Sequence, residues 1–162
     1  MVSTHCSSCV WAQSAHGDKT ICPAYYVAKG VCGSGGNLDC DGFSFELQCC
    51  NINIVQQNCA FVAGGYGQFA TCLKGQMVGG GCGSGKNLDC GHSGISSASE
   101  ALCCDYDGIV LEDGEDSTYV IKGGYGERVV CPKGSAVTSI CGSGSKLDCG
   151  GYATNAVCTY LE

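Results

Sequence analysis

The string CGSGKNLDC, residues 82–90, occurs in nearly the same form twice more in this chain of 162 residues. Residues 32–40 read CGSGGNLDC, and residues 141–149 read CGSGSKLDC. Each copy begins and ends with cysteine and has a leucine and an aspartate just before the closing cysteine. Three such copies predict an architecture of equivalent units, because self-similarity along a chain is the signature of structural repeats.

Cysteine spacing extends each copy into a longer unit. In every unit, one cysteine lies ten residues before the copy and another closes the unit after it. These flanking cysteines are Cys22 and Cys49, Cys72 and Cys103, and Cys131 and Cys158. The chain therefore reads as a single domain, residues 1–162, with repeats at approximately residues 9–50, 59–104 and 118–159.

The outermost cysteines indicate how the thiols pair. The first two repeats carry Cys9 with Cys50 and Cys59 with Cys104, whereas the third has threonines at both places, Thr118 and Thr159. Because two thiols that are absent together are expected to be bonded where they are present, we predict a disulfide in each of these pairs. In the alternative, Cys50 pairs with Cys59, and Cys9 must reach Cys104 across the domain. The cysteines that all repeats share most simply form a clamp around each copy and a tie between strands: Cys32–Cys40, Cys82–Cys90, Cys141–Cys149, Cys22–Cys49, Cys72–Cys103 and Cys131–Cys158.

Seventeen cysteines indicate either structural disulfides or a metal–thiolate array. An array would favour repeated C-x₂-C pairs, and the chain has a single one, between Cys6 and Cys9. We therefore expect disulfides, no metal site and an oxidising, extracellular compartment. The pairing leaves Cys6 over, which predicts a disulfide-linked dimer, with a capped or free thiol as the alternative.

Charge and glycine content narrow the fold and the partners. A net charge of −7 with eight Lys and Arg residues argues against nucleic-acid binding, and no apolar run is long enough for membrane insertion. Short β-type runs alternate with glycine turns, which predicts an all-β protein of three packed sheets. Residues 105–116 form an acidic insertion that we interpret as a solvated connector, with weak calcium or mineral contact as the alternative.

Two segments of the third repeat resemble known proteins. AVTSICGSGSKLDCGGYATNAVCTYLE, residues 136–162, resembles the final strand–loop–strand of jacalin-related lectins, in which a strand leads into Gly-x-x-x-Asp. GGYGERVVCPKG, residues 123–134, resembles the glycine-rich hairpin of these lectins and a repeated unit of the vitelline membrane outer layer proteins. The resemblance covers nearly the whole chain, once per repeat, and implies a β-prism I fold: three four-stranded Greek-key sheets with pseudo-threefold symmetry. The cysteine clamps depart from the plant lectins and indicate a distinct, animal-type branch.

The resemblance also implies a carbohydrate-binding loop in each repeat. An aspartate can accept hydrogen bonds from two neighbouring ring hydroxyls, and glycine lets backbone N–H groups approach the sugar. The leucine before each aspartate is expected to turn inward and anchor the loop. The loop residues assigned in this way are Gly35, Asn37, Leu38, Asp39, Gly85, Asn87, Leu88, Asp89, Gly144, Lys146, Leu147 and Asp148.

A second loop should complete each site. In the lectins, the Gly-x-x-x-Asp loop lies beside the glycine-rich hairpin of the following repeat. Carried over, Asp39 would face Gly64-Gly65-Tyr66, Asp89 would face Gly123-Gly124-Tyr125, and Asp148 would face Ser14-Ala15-His16. Because tyrosine offers a ring face and a hydroxyl to a pyranose, we expect two good sites and one altered site at His16. In the alternatives, each aspartate only caps its own loop and the tyrosines pack between sheets.

These observations predict a secreted, non-enzymatic lectin that binds neutral mono- or disaccharides and needs no cofactor. The alternative is a structural extracellular protein of a matrix, an egg coat or a biomineral, without sugar binding. No motif supports nucleophilic or paired-carboxylate catalysis.

Overall fold

The computed structural model describes residues 8–34, 37–83, 88–92, 95–142 and 146–162. Within these ranges the chain contains no helix, and hence none that could span a membrane. The strands are β1 Cys9–Ser14, β2 Lys19–Ile21, β3 Tyr26–Gly33, β4 Phe45–Asn51, β5 Gln56–Gly64, β6 Phe69–Thr71, β7 Met77–Gly83, β8 Cys90–His92, β9 Ile95–Ser97, β10 Ser99–Tyr106, β11 Thr118–Gly123, β12 Val129–Val130, β13 Ser135–Gly142 and β14 Thr154–Tyr160. The prediction of an all-β, disulfide-rich protein is confirmed.

Three four-stranded antiparallel sheets have the same internal order. The first is β1-β4-β3-β12, the second is β5-β10-β7-β2, and the third is β11-β14-β13-β6. Each sheet takes three long strands from one repeat and one short strand from the repeat before it, counted cyclically. The exchanged strands β2, β6 and β12 therefore tie each repeat to the next.

The exchanged strands are short, and β2 and β6 each direct a single side chain to the core. In β2 and β6 the burial runs exposed, buried, exposed, which places Thr20 and Ala70 inward. In contrast, β7 is buried at every position, because it has strands on both sides and the core beneath it. The main core contains Val31, Leu47, Val78, Val137 and Ile140, all of them fully buried.

Glycines let the three sheets approach one another at one end of the molecule. A Cβ atom placed on Gly33, Gly83 or Gly142 would lie 2.8 Å from a side-chain atom of a neighbouring sheet, in Thr154, Phe45 and Ser99 respectively. Each contact joins a different pair of sheets, so the three contacts close a ring. A larger residue at any of these glycines would force two sheets apart.

Eight disulfides connect the strands and loops, and they are the same pairs that the repeats predict. They are Cys9–Cys50, Cys22–Cys49, Cys32–Cys40, Cys59–Cys104, Cys72–Cys103, Cys82–Cys90, Cys131–Cys158 and Cys141–Cys149. Disulfides at this density are typical of extracellular proteins. Cys6 lies outside the described residues, so the expected dimer stays a prediction.

Candidate functional site

The repeated loops and the hairpin turns meet at one end of the sheets. Each loop follows the third strand of its repeat, and each turn joins the first strand of a repeat to the exchanged strand. The N–H of Gly126 donates to the carbonyl oxygen of Gly33 at 3.0 Å, and equivalent bonds run from Gly17 to Gly83 and from Gly67 to Gly142. Every turn is therefore fixed at the base of a repeated loop.

The turn that each loop contacts belongs to the preceding repeat, not to the following one. Asp39 packs against Gly126, Asp89 against Gly17, and Asp148 against Gly67. The predicted pairing of loops with following turns is therefore wrong. The cause is the direction of strand exchange, because each short strand joins the sheet of the next repeat and carries its turn to that repeat's loop.

The glycine in each turn is required by the contact. Gly17, Gly67 and Gly126 have φ angles of 80°, 75° and 77°, in the region that favours glycine. A Cβ atom at these positions would lie 2.7, 2.6 and 2.5 Å from the carbonyl oxygens of Asp89, Asp148 and Asp39. None of these three glycines was predicted as a site residue, although each follows directly after His16, Tyr66 or Tyr125 in the sequence.

The loop leucines point outward, contrary to the prediction. Leu38, Leu88 and Leu147 are 46%, 42% and 44% exposed. The cysteines two residues later, Cys40, Cys90 and Cys149, are buried and hold the loops instead. Each leucine therefore presents an apolar surface next to an exposed aspartate, Asp39, Asp89 or Asp148.

Tyr66 lies within the electrostatic reach of two of the loops. Partial burial raises the pKa of its hydroxyl, and the negative charges of Asp89 and Asp148 raise it further. Tyr66 and Tyr125 are both exposed, at 37% and 41%, so neither is packed between sheets. The predicted partner of Tyr66 was Asp39, and the structure instead groups Tyr66 with the loops of repeats two and three.

The glycines before the tyrosines do not offer free amides. The N–H of Gly65 donates to Oε1 of Gln68 at 3.1 Å, and the N–H of Gly124 donates to Oε1 of Glu127 at 2.9 Å. Both bonds lie within the turn, so these residues shape the turn. At the altered turn, Nδ1 of His16 is buried and has no hydrogen-bond partner among the described residues.

The remaining predicted loop residues divide into two groups. Asn37 and Lys146 are exposed beside their aspartates. The others lie outside the described residues: Gly35, Gly85, Asn87 and Gly144.

Buried carboxylates support two of the three loop–turn junctions. Glu46 in β4 is fully buried, and Arg128, just before β12, donates to both of its oxygens at 2.9 and 2.8 Å. Burial alone would raise the pKa of Glu46, but the hydrogen bonds from Arg128 and Gln13 and the charge of Arg128 outweigh it and lower that pKa. The guanidinium carbon of Arg128 also lies 4.6 Å from the ring centroid of Trp11. This pair fixes the turn of repeat three to the sheet of repeat one.

The second junction has the same design, and the third departs from it. Glu100 is fully buried, and Nζ of Lys19 donates to it at 2.7 Å while lying 4.7 Å from the Phe61 ring centroid. In the third sheet, Asn155 replaces the glutamate, and its Oδ1 is buried with no partner in the described chain. The exposed Phe69 occupies the register position in β6 that Lys19 occupies in β2. The ion pairs of Glu46 with Arg128 and of Glu100 with Lys19 were not predicted from the sequence, although both glutamates occupy the same position in their repeats.

The structure offers one group of potential metal ligands among the described residues, namely Cys32, Cys40 and Glu46. The two cysteines form a disulfide and Glu46 is held by Arg128, so their donor atoms are already used. In the acidic connector, Oδ2 of Asp113 pairs with Nζ of Lys74 at 2.8 Å.

Comparisons with protein-family models, with curated proteins and with solved structures each found no match to this chain.

Proposed function

We propose that this protein is a secreted lectin with a β-prism I fold, resembling the jacalin-related lectins, that binds neutral mono- or disaccharides without catalysis. The observation that carries the proposal is the repeated placement of an exposed aspartate. Asp39, Asp89 and Asp148 each lie on a loop that is closed by a disulfide and packed on a turn glycine of another repeat. The disulfide and the turn contact hold each aspartate in place before a ligand arrives, which lowers the cost of binding.

The side chains around each aspartate suit a sugar. A carboxylate accepts two hydrogen bonds from neighbouring hydroxyls, and bonds to a charged group are stronger than neutral ones. The exposed leucine before each aspartate supplies an apolar surface for the C–H face of a pyranose. Tyr125 lies on the turn against Asp39, and Tyr66 on the turn against Asp148, so two of the junctions also offer an aromatic ring.

The three sites are unequal. The Asp89 loop contacts the turn of His16 and lacks a tyrosine from that turn. We expect single-site dissociation constants of roughly mM to µM, with functional binding to glycans by avidity across the sites.

Substitution of two aspartates tests the proposal. Asp39→Asn together with Asp148→Asn should weaken binding in a panel of simple sugars by at least about tenfold, because a hydrogen bond to a charged group contributes roughly 1.5–3 kcal/mol. The matched control is Asp107→Asn together with Asp116→Asn, which changes the net charge equally on exposed residues outside the loops. Its binding and melting temperature should stay unchanged.

Two outcomes would contradict the proposal in different ways. If the unsubstituted protein binds no sugar on a glycan array, the structural extracellular role becomes the better explanation. If sugar binding is found but the Asp39 and Asp148 variant retains it, the lectin function stands and the loops of Asp39 and Asp148 are not its site.

A further inference from the structure

A cavity of about 400 Å³ lies at the edge of the third sheet, away from the repeated loops. It is bounded by the turn after β6, residues 72–76, and by residues 109–113 of the acidic connector. Leu73, Val110 and Leu111 form apolar walls, and Thr71, Thr138 and Thr159 contribute hydroxyl groups. Its size falls within the range of roughly 300–1,000 Å³ that is typical of small-molecule sites.

The equivalent place on the second sheet is closed. There, Nε2 of Gln56 donates to the carbonyl oxygens of Cys22 and Pro23 at 3.3 and 3.2 Å, and Oε1 of Gln56 accepts from the N–H of Tyr25 at 3.0 Å. These bonds join the strand connection directly to the turn after β2. The cavity therefore results from a local departure in the third repeat.

The third repeat departs in two ways that open this space. Its connector is longer, and the connector meets the turn through the ion pair between Lys74 and Asp113, whose side chains are 86% and 77% exposed. In addition, Thr118 and Thr159 stand where the other repeats have an outer disulfide. The ion pair therefore joins the connector to the turn at the rim of the cavity.

The hydrogen bonds of the threonine and serine hydroxyls determine which oxygen in the cavity can still accept a bond from a ligand. Oγ of Ser139 donates to the carbonyl oxygen of Ala70 at 3.2 Å, so the 2.8 Å contact with Thr71 uses the proton of Thr71. Oγ1 of Thr138 and Oγ1 of Thr159 lie 2.7 Å apart, and Oγ1 of Thr138 can also donate to the carbonyl oxygen of Val157 at 3.4 Å. Oγ1 of Thr71, which lines the cavity, is then left as an acceptor.

We propose that this cavity is a second binding site, for a small hydrocarbon molecule that carries a hydroxyl group, such as an alcohol or a phenol. Its apolar part would contact Leu73, Val110 and Leu111. Its hydroxyl would donate to Oγ1 of Thr71. The site is independent of the aspartate loops and of any sugar binding.

Two isomeric probes test the proposal by titration of the ¹⁵N-labelled protein followed by amide chemical shifts. Benzyl alcohol has a hydroxyl donor, whereas anisole has the same atoms and no donor. Benzyl alcohol should shift the amides of residues 71–76 and 109–118 in a saturable way, and anisole should bind roughly fivefold more weakly because one hydrogen bond is lost.

Two variants make the test specific. Thr71→Val keeps the shape of the side chain and removes the acceptor, so it should reduce the benzyl alcohol affinity towards that of anisole and leave anisole unchanged. Ile21→Thr places a hydroxyl at the equivalent position of β2, where Gln56 closes the gap, and should create no second set of shifts. Absence of shifts at residues 71–76 with both probes, or equal affinities for the two, would overturn the proposal.

Discussion

The missing outer disulfide of the third repeat can be restored by two substitutions. Thr118 and Thr159 are Cα partners in the pairing of β11 with β14, just as Cys9 and Cys50 are in the pairing of β1 with β4. The bond in the first repeat shows that this register places two cysteines within bonding distance. The double variant Thr118→Cys/Thr159→Cys should therefore form a ninth disulfide.

The expected stabilisation follows from the length of chain that the new bond closes. Cys131 is already bonded to Cys158, so the added closed path runs from Thr118 to Cys131, through that bridge, and on to Thr159. A path of roughly 14 residues corresponds to about 3 kcal/mol in the chain-entropy model. Loss of the hydroxyl contact between Thr138 and Thr159 removes about 1 kcal/mol. The net gain of about 2 kcal/mol should raise the melting temperature by roughly 4–8 °C for a chain of this size.

The assay is thermal unfolding by circular dichroism, together with intact mass to count the bonded thiols. The matched control is Thr118→Ser/Thr159→Ser, which removes the same methyl groups without allowing a bond. The reasoning is refuted if the new disulfide is present by mass and the variant melts no higher than the serine control. If the two new thiols instead stay reactive towards iodoacetamide in the native protein, the register of β11 and β14 is wrong.

Two further predictions concern the junctions between repeats. Gly126→Ala should lower the free energy of unfolding, measured in urea, by about 2–4 kcal/mol, because strain at positive φ adds to the clash with Asp39. The control Gly75→Ala should lower it by only about 1 kcal/mol, because Gly75 also has a positive φ of 89° but no atom lies within 4 Å of the added Cβ. Equal losses for the two variants would contradict the contact with Asp39. Glu46→Gln should lower the free energy of unfolding by about 1–3 kcal/mol at pH 7, because it breaks the pair with the partly exposed Arg128. Since the folded-state pKa of Glu46 lies below its ordinary value of 4.5, the stabilisation is present above pH 4.5 and is lost as the pH falls through the folded pKa. The unsubstituted protein and the Glu46→Gln variant should therefore converge in stability at low pH. A stability difference that does not change with pH would contradict this account.

The disulfide framework was predictable because it depends on the spacing of the cysteines and on the absence of the outer cysteines from the third repeat. Thr118 and Thr159 replace two cysteines together, and that shared replacement identified the outer pairs. The three sheets followed from the same repeats, since a short unit of strands cannot bury its own apolar face. Neither inference required knowledge of how the repeats are arranged in space.

The composition of each site was not predictable in the same way. β2 is three residues long, and nothing in Lys19–Ile21 states which neighbouring sheet it will join. The direction of exchange decides which turn meets which loop, so the transferred pairing failed in all three places at once. The pair of Glu46 with Arg128 was hidden for a related reason, because its members lie 82 residues apart and meet only through the exchanged strand.

The three loop–turn junctions differ both in their exposed side chains and in the buried groups beneath them. The junction at Asp39 has a tyrosine on its turn and a buried ion pair beneath, between Arg128 and Glu46. The junction at Asp89 has an ion pair but a histidine on its turn. The junction at Asp148 has a tyrosine, but Asn155 replaces the buried carboxylate there. If the protein binds sugars as we propose, the Asp39 junction should contribute most to the affinity, because it combines an aromatic side chain with a buried ion pair that supports the aspartate, and the other two should act mainly through avidity.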